Sequence, residues 1–252
     1  ITLAEPVPGW RAGDRVIVTS TARGTANDHA PSSFRPGAAS RGHGQYAPQT
    51  EVRTVVALDG TTVRLDAPLA FGHRGADDFR AEVANLTRTV VVESAAPDGV
   101  RGHTMYHRHS AGSVTYAEFR HLGKEGVLGK YAIHFHLCGD TMRGTRVEGN
   151  SVWDSRNRWV TVHGTQYLVV RDNVGYGSVG HGFFLEDGTE GFTVLDRNLA
   201  VQAYRGKPLP NQALPGDKND GAGFWWANSL NAFTRNVAVE CDEYGFRYEA
   251  TP

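Results

Sequence analysis

The sequence predicts an all-β protein built as a right-handed parallel β-helix. Thirty glycines and many β-branched residues accompany few long helical patterns in 252 residues. Short apolar strands alternate with turns along the whole chain. From about residue 101 a repeat emerges: TRVEGNSVWDS, LVVRDNVGYGS, FTVLDRNLAVQA and AFTRNVAVEC align on Asn150, Asn173, Asn198 and Asn236.

The repeat is the decisive signal. Upstream of the four asparagines lie IHFHL, VTVHG, GFFLED and GFWWAN in turn, and a last unit begins at GFRYE. The first asparagine spacings are 23 and 25 residues, one coil of a parallel β-helix each; the next, 38, carries an added loop, RGKPLPNQALPGDKNDG. No such coil can bury its own apolar face, so coils stack and share a core. Asparagines stacked at a turn can form side-chain ladders along the axis. A β-sandwich would also give short strands, but not asparagine at a fixed register.

Residues 1–100 form a β-rich section continuous with the solenoid of 101–252. Its strands read DRVIVTST, TEVRTVVAL, TTVRLDAPL and RTVVVES, and the Asp-Gly of ALDGTTV signals a tight hairpin. Between the first two strands, residues 22–48 form a polar Gly/Pro/Ser-rich loop, of a length that is usually functional or disordered. The opening ITLAEPVPGW reads as the middle of a strand, which suggests a mature form or a fragment of a longer chain.

Composition removes several function classes. A formal net charge of −1 gives no global field toward nucleic acid or an anionic membrane. No apolar stretch approaches the roughly 18–20 residues that span a bilayer. Two cysteines build neither a disulfide framework nor a C-x-x-C metal motif. Of 26 basic residues 22 are arginine, a bias that suits carboxylate or sulfate recognition and that GC-rich coding would equally produce.

Period-2 alternation sends Ile133, Phe135 and Leu137 inward and His134 and His136 outward. By the same logic His163 and Glu186 face outward from their coils, and HTMYHRH adds His107 and His109 from the preceding one. Eight of the eleven histidines fall between 103 and 181. A lone outward histidine is ordinarily incidental; four to six on one flank point to function. His107, His109, His134, His136 and His163 are therefore candidate ligands for a divalent metal, zinc-like by their imidazoles, with calcium as the alternative. Without a metal, the same flank offers general acid–base catalysis by His136, His163, His181, Glu186 and Asp187. Glu186 and Asp187 are adjacent, so strand alternation argues against their acting as a pair.

The remaining candidates contact substrate. Arg158 could clamp a carboxylate. Trp225 and Trp226 straddle two faces, leaving one, assigned as Trp225, to stack on a sugar. Asp140 in CGD reads most simply as a turn, with a substrate, catalytic or calcium role as the alternative.

The stretches GWRAGDRVIVTST, FRAEVANLTRTVVVES, GKYAIHFHLCGD, RNRWVTVHGT, VGYGSVGHGFFLEDG and GFWWANSLN resemble the cell-surface hyaluronidase family, which includes the cell migration-inducing and hyaluronan-binding proteins. Residues 9–100 look like the tail of that family's eight-glycine domain and 101–252 like its β-helix. The resemblance implies a secreted or extracellular protein acting on hyaluronan or a similar acidic polysaccharide, and the arginine-rich composition suggests a bacterial member. Positions matching the family blocks are His134, His136, Asp140, Arg158, His163, His181, Glu186, Asp187 and Asn228, the last a substrate contact. HTMYHRH departs from the family pattern, so His107 and His109 rest on local reasoning alone.

Three functions follow. The first is a depolymerase, hydrolase favoured over lyase. The second is a non-catalytic carbohydrate-binding or adhesion module using the same groove. The third is a metal that merely staples coils together.

Overall fold

The computed structural model describes residues 1–22 and 47–250, so the polar loop expected over 22–48 lies outside the described residues except at its edges. Two compact units divide the chain, one ending at Thr87 and the other beginning at Arg88.

In the first unit four antiparallel strands order as Thr62–Leu65, Glu51–Asp59, Arg15–Val18 and Val83–Asn85. The expected hairpin forms: Asp59 pairs with Thr62, and Gly60 takes the positive φ of 57° that the turn requires. Val16, Val55 and Val63 make its core, with Leu3, Trp10, Leu58 and Leu65 packed around them.

The second unit is a parallel β-helix of three sheets. Each coil contributes one short strand to each sheet. The first sheet stacks Thr104–His107, Ile133–Gly139, Val160–Thr165, Phe183–Leu185, Ala222–Trp226 and Tyr244–Tyr248. The second stacks Val114–Thr115, Arg146–Glu148, Val169–Arg171, Val194–Asp196 and Ala232–Thr234. The third runs from Val90–Glu93 through Ala117–Arg120, Ser151–Ser155, Val174–Val179 and Leu199–Tyr204 to Val237–Val239. Among the described residues no helix is long and apolar enough to cross a membrane.

Inward residues of all three sheets form one continuous core, with Ile133, Phe135, Val160, Val162, Phe183, Leu185 and Phe224 from the first sheet. This is the nearest-neighbour burial that a solenoid must achieve.

The asparagines set the register. Asn150 Nδ2 donates to Asn173 Oδ1 at 3.0 Å, Asn173 to Asn198 at 2.9 Å, and Asn198 to Asn236 at 2.9 Å. Each amide also bonds a backbone carbonyl one coil back: Val114, Val147, Val170 and Leu195. The residue before each asparagine has positive φ (Gly149, Asp172, Arg197, Arg235), which makes the corner that turns second-sheet strand into third-sheet strand. Asn173→Ala strands buried polar groups on both neighbouring coils, each worth about 1–3 kcal/mol. The expected loss is about 3 kcal/mol of unfolding free energy, read by urea denaturation; a loss below about 1 kcal/mol would mean that water replaces the ladder.

Candidate functional site

Strand register decides which outward side chains meet. Along the first sheet His107 pairs with His136 and His136 with His163, while Met105 pairs with His134 and His134 with Thr161. The step between coils is therefore 29 residues below His136 and 27 above it. Beyond Val162↔Leu185 the chain continues to Glu186, whose N–H bonds the Val162 carbonyl. One outward column thus reads His107, His136, His163, Glu186, with His134 beside it.

Three of these imidazoles converge. His134, His136 and His163 each present a ring nitrogen, all within 4.8 Å of one another. His134 Nδ1–H donates to the Gly129 carbonyl at 3.0 Å, which leaves Nε2 as a free lone pair. That atom is buried and has no hydrogen-bond partner among the described residues. Burial, chiefly, pushes the His134 imidazole down to about 3, helped by the neighbouring His136, His163 and Arg158. His134 is thus a neutral, oriented imidazole at any physiological pH.

His163 is oriented from its other side. Its Nε2 lies 3.2 Å from Asp187 Oδ2, and its Nδ1 lies 3.0 Å from His136 Nδ1. Two facing Nδ1 atoms must share a proton or a cation. Burial pulls the His163 imidazole down, but the Asp187 hydrogen bond and the charges of Glu186, Asp187 and Glu190 outweigh it and raise it above its ordinary value. His136 is lowered, first by burial and then by the adjacent His163, His107 and Arg108.

Glu186 closes the cluster. Its Oε2 lies 3.8 Å from His134 Nε2 and 3.7 Å from His163 Nδ1 and has no hydrogen-bond partner among the described residues. Its Oε1 accepts from the Tyr131 hydroxyl at 3.3 Å. Burial raises the Glu186 carboxyl against the opposing pull of Arg158 and His163. Asp187 goes the other way: its hydrogen bonds to His163, Glu190 and Thr189 overcome burial and hold it well below the usual carboxylate range. The strand ends at Leu185, so alternation no longer governs these two acids. Both reach the His163 ring, so the opposite-faces premise drawn from strand alternation does not hold for them.

The donor set suits a transition metal. Imidazole lone pairs are usual ligands of zinc-type sites, and hydrogen bonds from the non-ligating nitrogens to Gly129 and Asp187 are the supports such sites use. Tetrahedral ligation at about 2.1 Å needs nitrogens about 3.4 Å apart. The His136–His163 pair at 3.0 Å comes close to that and need open only slightly, and an inward movement of His134 would complete the set.

Several sequence-predicted residues are not where they were expected. His134 does project outward, but it is only 1% exposed, because the segment carrying Gly129 and Tyr131 packs over it. Arg158 is 0% exposed and is no surface clamp. Its guanidinium lies over the Phe184 ring at 3.6 Å and donates to Asp217 at 2.6 Å, Tyr131 at 3.1 Å and Gln212 at 3.1 Å. It stands behind Glu186, 3.8 Å away, as a positioning charge. His181 has no nitrogen left for chemistry: Nε2 bonds Asp217 at 2.8 Å, and Nδ1 accepts the Ala222 N–H at 3.0 Å. Trp225 is buried and stacks on Phe184 at 4.6 Å, so it offers no face to a sugar. The Asn228 amide donates to the carbonyls of Gly188 and Glu190, bracing the turn that carries Asp187.

Asp140 opens a short 3-10 turn and is exposed beside Arg143, in keeping with its simplest reading. The His107 ring lies tilted beside His136, with ring centroids 5.0 Å apart, but falls outside the three-histidine group. His109 lies past the strand end, exposed, with a φ of 63°, and among the described residues pairs with no other coil.

Three contributors escaped the sequence reading. Tyr131 links Arg158 to Glu186. Asp217, in the 38-residue coil's added loop, binds both Arg158 and His181 and is held ionised by them against its burial. Glu190 ties its own turn to the His163 strand through the Gly164 and Gly188 amides at 2.9 and 3.0 Å, and its carboxyl is pushed up to about 8 by burial and by Asp187. Glu190 follows Glu186 by four residues in LEDGTEG, a local acid cluster that was the available signal.

Comparison with known proteins fits this architecture. The CEMIP beta-helix family model matches residues 99–252. Fibrocystin-L of Mus musculus is 29% identical over 98% of this chain and 6% of its own length. Cell surface hyaluronidase CEMIP2 of Homo sapiens is 29% identical over 98% of this chain and 20% of its own. A cell surface hyaluronidase of Danio rerio is 29% identical, with coverages of 87% and 16%. The chain thus spans a fifth or less of the length of these relatives. With more than half its residues matched and the coils stacked as described, the chain belongs to the CEMIP beta-helix family.

Proposed function

We propose that this protein depolymerises hyaluronan or a related acidic polysaccharide outside the cell by hydrolysing glycosidic bonds. The observation that carries the reading is the pair of carboxyl groups around His163, pushed in opposite directions: Glu186 toward its protonated form, Asp187 toward its ionised form. Such separation is how a site obtains an acid beside a fixed negative charge. Glu186 donates its proton to the leaving glycosidic oxygen, while a water molecule adds to the anomeric carbon and gives up a proton that restores the site to its starting state. Asp187 holds the His163 Nε2 proton and keeps Nδ1 turned into the cluster. His134, His136 and His163 would hold a divalent transition metal through their imidazoles alone, which leaves the Glu186 carboxyl free to carry its proton. Such a cation supplies Lewis acidity toward a reacting oxygen at neutral pH. The human and zebrafish relatives, both named cell surface hyaluronidases, support the substrate class and the cell-surface setting.

A second reading is a non-catalytic carbohydrate-binding module, favoured by the equal 29% identity to fibrocystin-L. Incubation with hyaluronan separates the two. Falling viscosity without the ultraviolet absorbance of an unsaturated uronide is the expected result and means hydrolysis. Falling viscosity with that absorbance means a lyase. Binding without any product, unchanged by His136→Ala and His163→Ala, would replace the catalytic reading with the binding one.

A further inference from the structure

An acid at Glu186 needs its proton on one particular oxygen, and the donors and acceptors around it decide which. Arg158 is fixed through Nη2 by Asp217 at 2.6 Å and Gln212 at 3.1 Å, with the Phe184 ring under its guanidinium. Its Nη1 reaches the Tyr131 hydroxyl at 3.1 Å. A guanidinium has donors only, so at that contact the Tyr131 oxygen accepts. A phenol has one hydrogen to give, and it cannot point back at the arginine. It points to Glu186 Oε1 at 3.3 Å, the acceptor it meets among the described residues.

The direction of that bond settles the other end of the carboxyl. A protonated carboxyl has one hydroxyl oxygen and one carbonyl oxygen, and the carbonyl oxygen is the better acceptor. Oε1, which accepts from Tyr131, is therefore the carbonyl, and the proton belongs on Oε2. Oε2 is the oxygen without a hydrogen-bond partner among the described residues. It faces the imidazoles, 3.8 Å from His134 Nε2 and 3.7 Å from His163 Nδ1. Both distances exceed a hydrogen bond, so the proton is turned toward the cluster without being bound by it.

We propose that Tyr131 is a positioning residue for the acid: by bonding Oε1 it holds the Glu186 proton on Oε2, an inference that rests on the hydrolysis proposed above. The placement matters because the two sides of the carboxyl differ in access. On the Oε1 side stand Tyr131 and Arg158, both 0% exposed, and no sugar comes from there. On the Oε2 side lie His136 and His163, the half-buried members of the cluster. The leaving glycosidic oxygen thus meets the proton over these two rings. Asp217 takes part at a distance: its carboxylate fixes the arginine that turns the phenol toward Glu186.

Infrared spectroscopy of the full chain reads the placement without substrate. The C=O stretch of protonated Glu186 is the band that Glu186→Gln removes. Tyr131→Phe keeps the ring against His134 and Arg158 and takes away the hydroxyl alone. The band is expected to move to higher frequency in Tyr131→Phe, because a carbonyl that loses a hydrogen bond stiffens. Fluorinating the Tyr131 ring makes its hydroxyl a stronger donor and should move the band to lower frequency. That second arm keeps the hydroxyl in place, so it decides the matter even where Tyr131→Phe does not fold. With hyaluronan, kcat of Tyr131→Phe should fall about tenfold with KM within about twofold of the wild type, the effect of one hydrogen bond lost from the reacting state. A band that stays put under both changes, or one that moves while kcat holds, overturns the positioning role and leaves the hydrolase reading intact. Should both shifts appear while the wild type leaves hyaluronan uncleaved, the proton placement stands and the hyaluronan reading falls. A wild type with no Glu186 band removes both.

Discussion

Glu186→Gln is expected to lower the rate of polysaccharide cleavage by about 10²–10⁴-fold, the range that a positioned acid contributes, while leaving substrate affinity within about twofold of the wild type. The amide keeps the size of the carboxyl and can still accept from Tyr131, so the coil should fold. What it lacks is a transferable proton. Burial raises the Glu186 carboxyl, so the wild-type acid keeps its proton to a higher pH than an exposed glutamate. Its catalytic form is therefore present below the folded-state pKa and lost as pH rises through it. The alkaline limb of the wild-type pH profile should lie higher than an exposed glutamate would set it and should vanish in the variant. A Glu186→Gln protein that cleaves within about threefold of the wild-type rate would remove Glu186 as the acid and, with it, the carboxyl-pair reading of the site.

The solenoid was legible because its determinants are local and periodic. Asparagine at a corner and alternation within each strand are properties of a few consecutive residues, and they correctly sent Ile133 and Phe135 into the core. The register also brought His136 and His163 together as alternation required. What alternation could not give is the difference between facing outward and meeting solvent. The outer face of the first sheet carries its own apolar cluster, Phe184, Ala222, Trp225 and Ala227, with Leu214 of the 205–221 loop packed on it. That loop also brings Asp217 onto Arg158 and His181. Arg158 and His181 are therefore buried by a segment distant from them in sequence, and Trp225 by the loop that leads into its own strand. Phe184 and Trp225, which pair across adjacent coils, were the visible hint that something apolar must cover this face. The acids failed for a different reason: alternation was applied one residue past the strand's end.

Metal analysis of the purified chain is expected to find about one equivalent of a transition metal, absent from His136→Ala/His163→Ala. These two positions are the right ones to change. His134 is sealed against Tyr131, with ring centroids 4.8 Å apart, so replacing it would confound metal loss with a packing defect. His136 and His163 are less buried, and each faces the other through Nδ1. With the cation gone, that contact loses its bridging charge, so chelation should lower the melting temperature, since a ligand held only by the folded state stabilises it by mass action. Chelation should also abolish cleavage, and restoring the metal should recover both. The pairing of the two readouts is what discriminates. If chelation lowers the melting temperature and leaves turnover untouched, the ion is a staple between coils and Glu186 works without it. If the protein is fully active and metal-free as purified, the three imidazoles are an acid–base cluster, and the 3.0 Å contact between His136 and His163 is a shared proton.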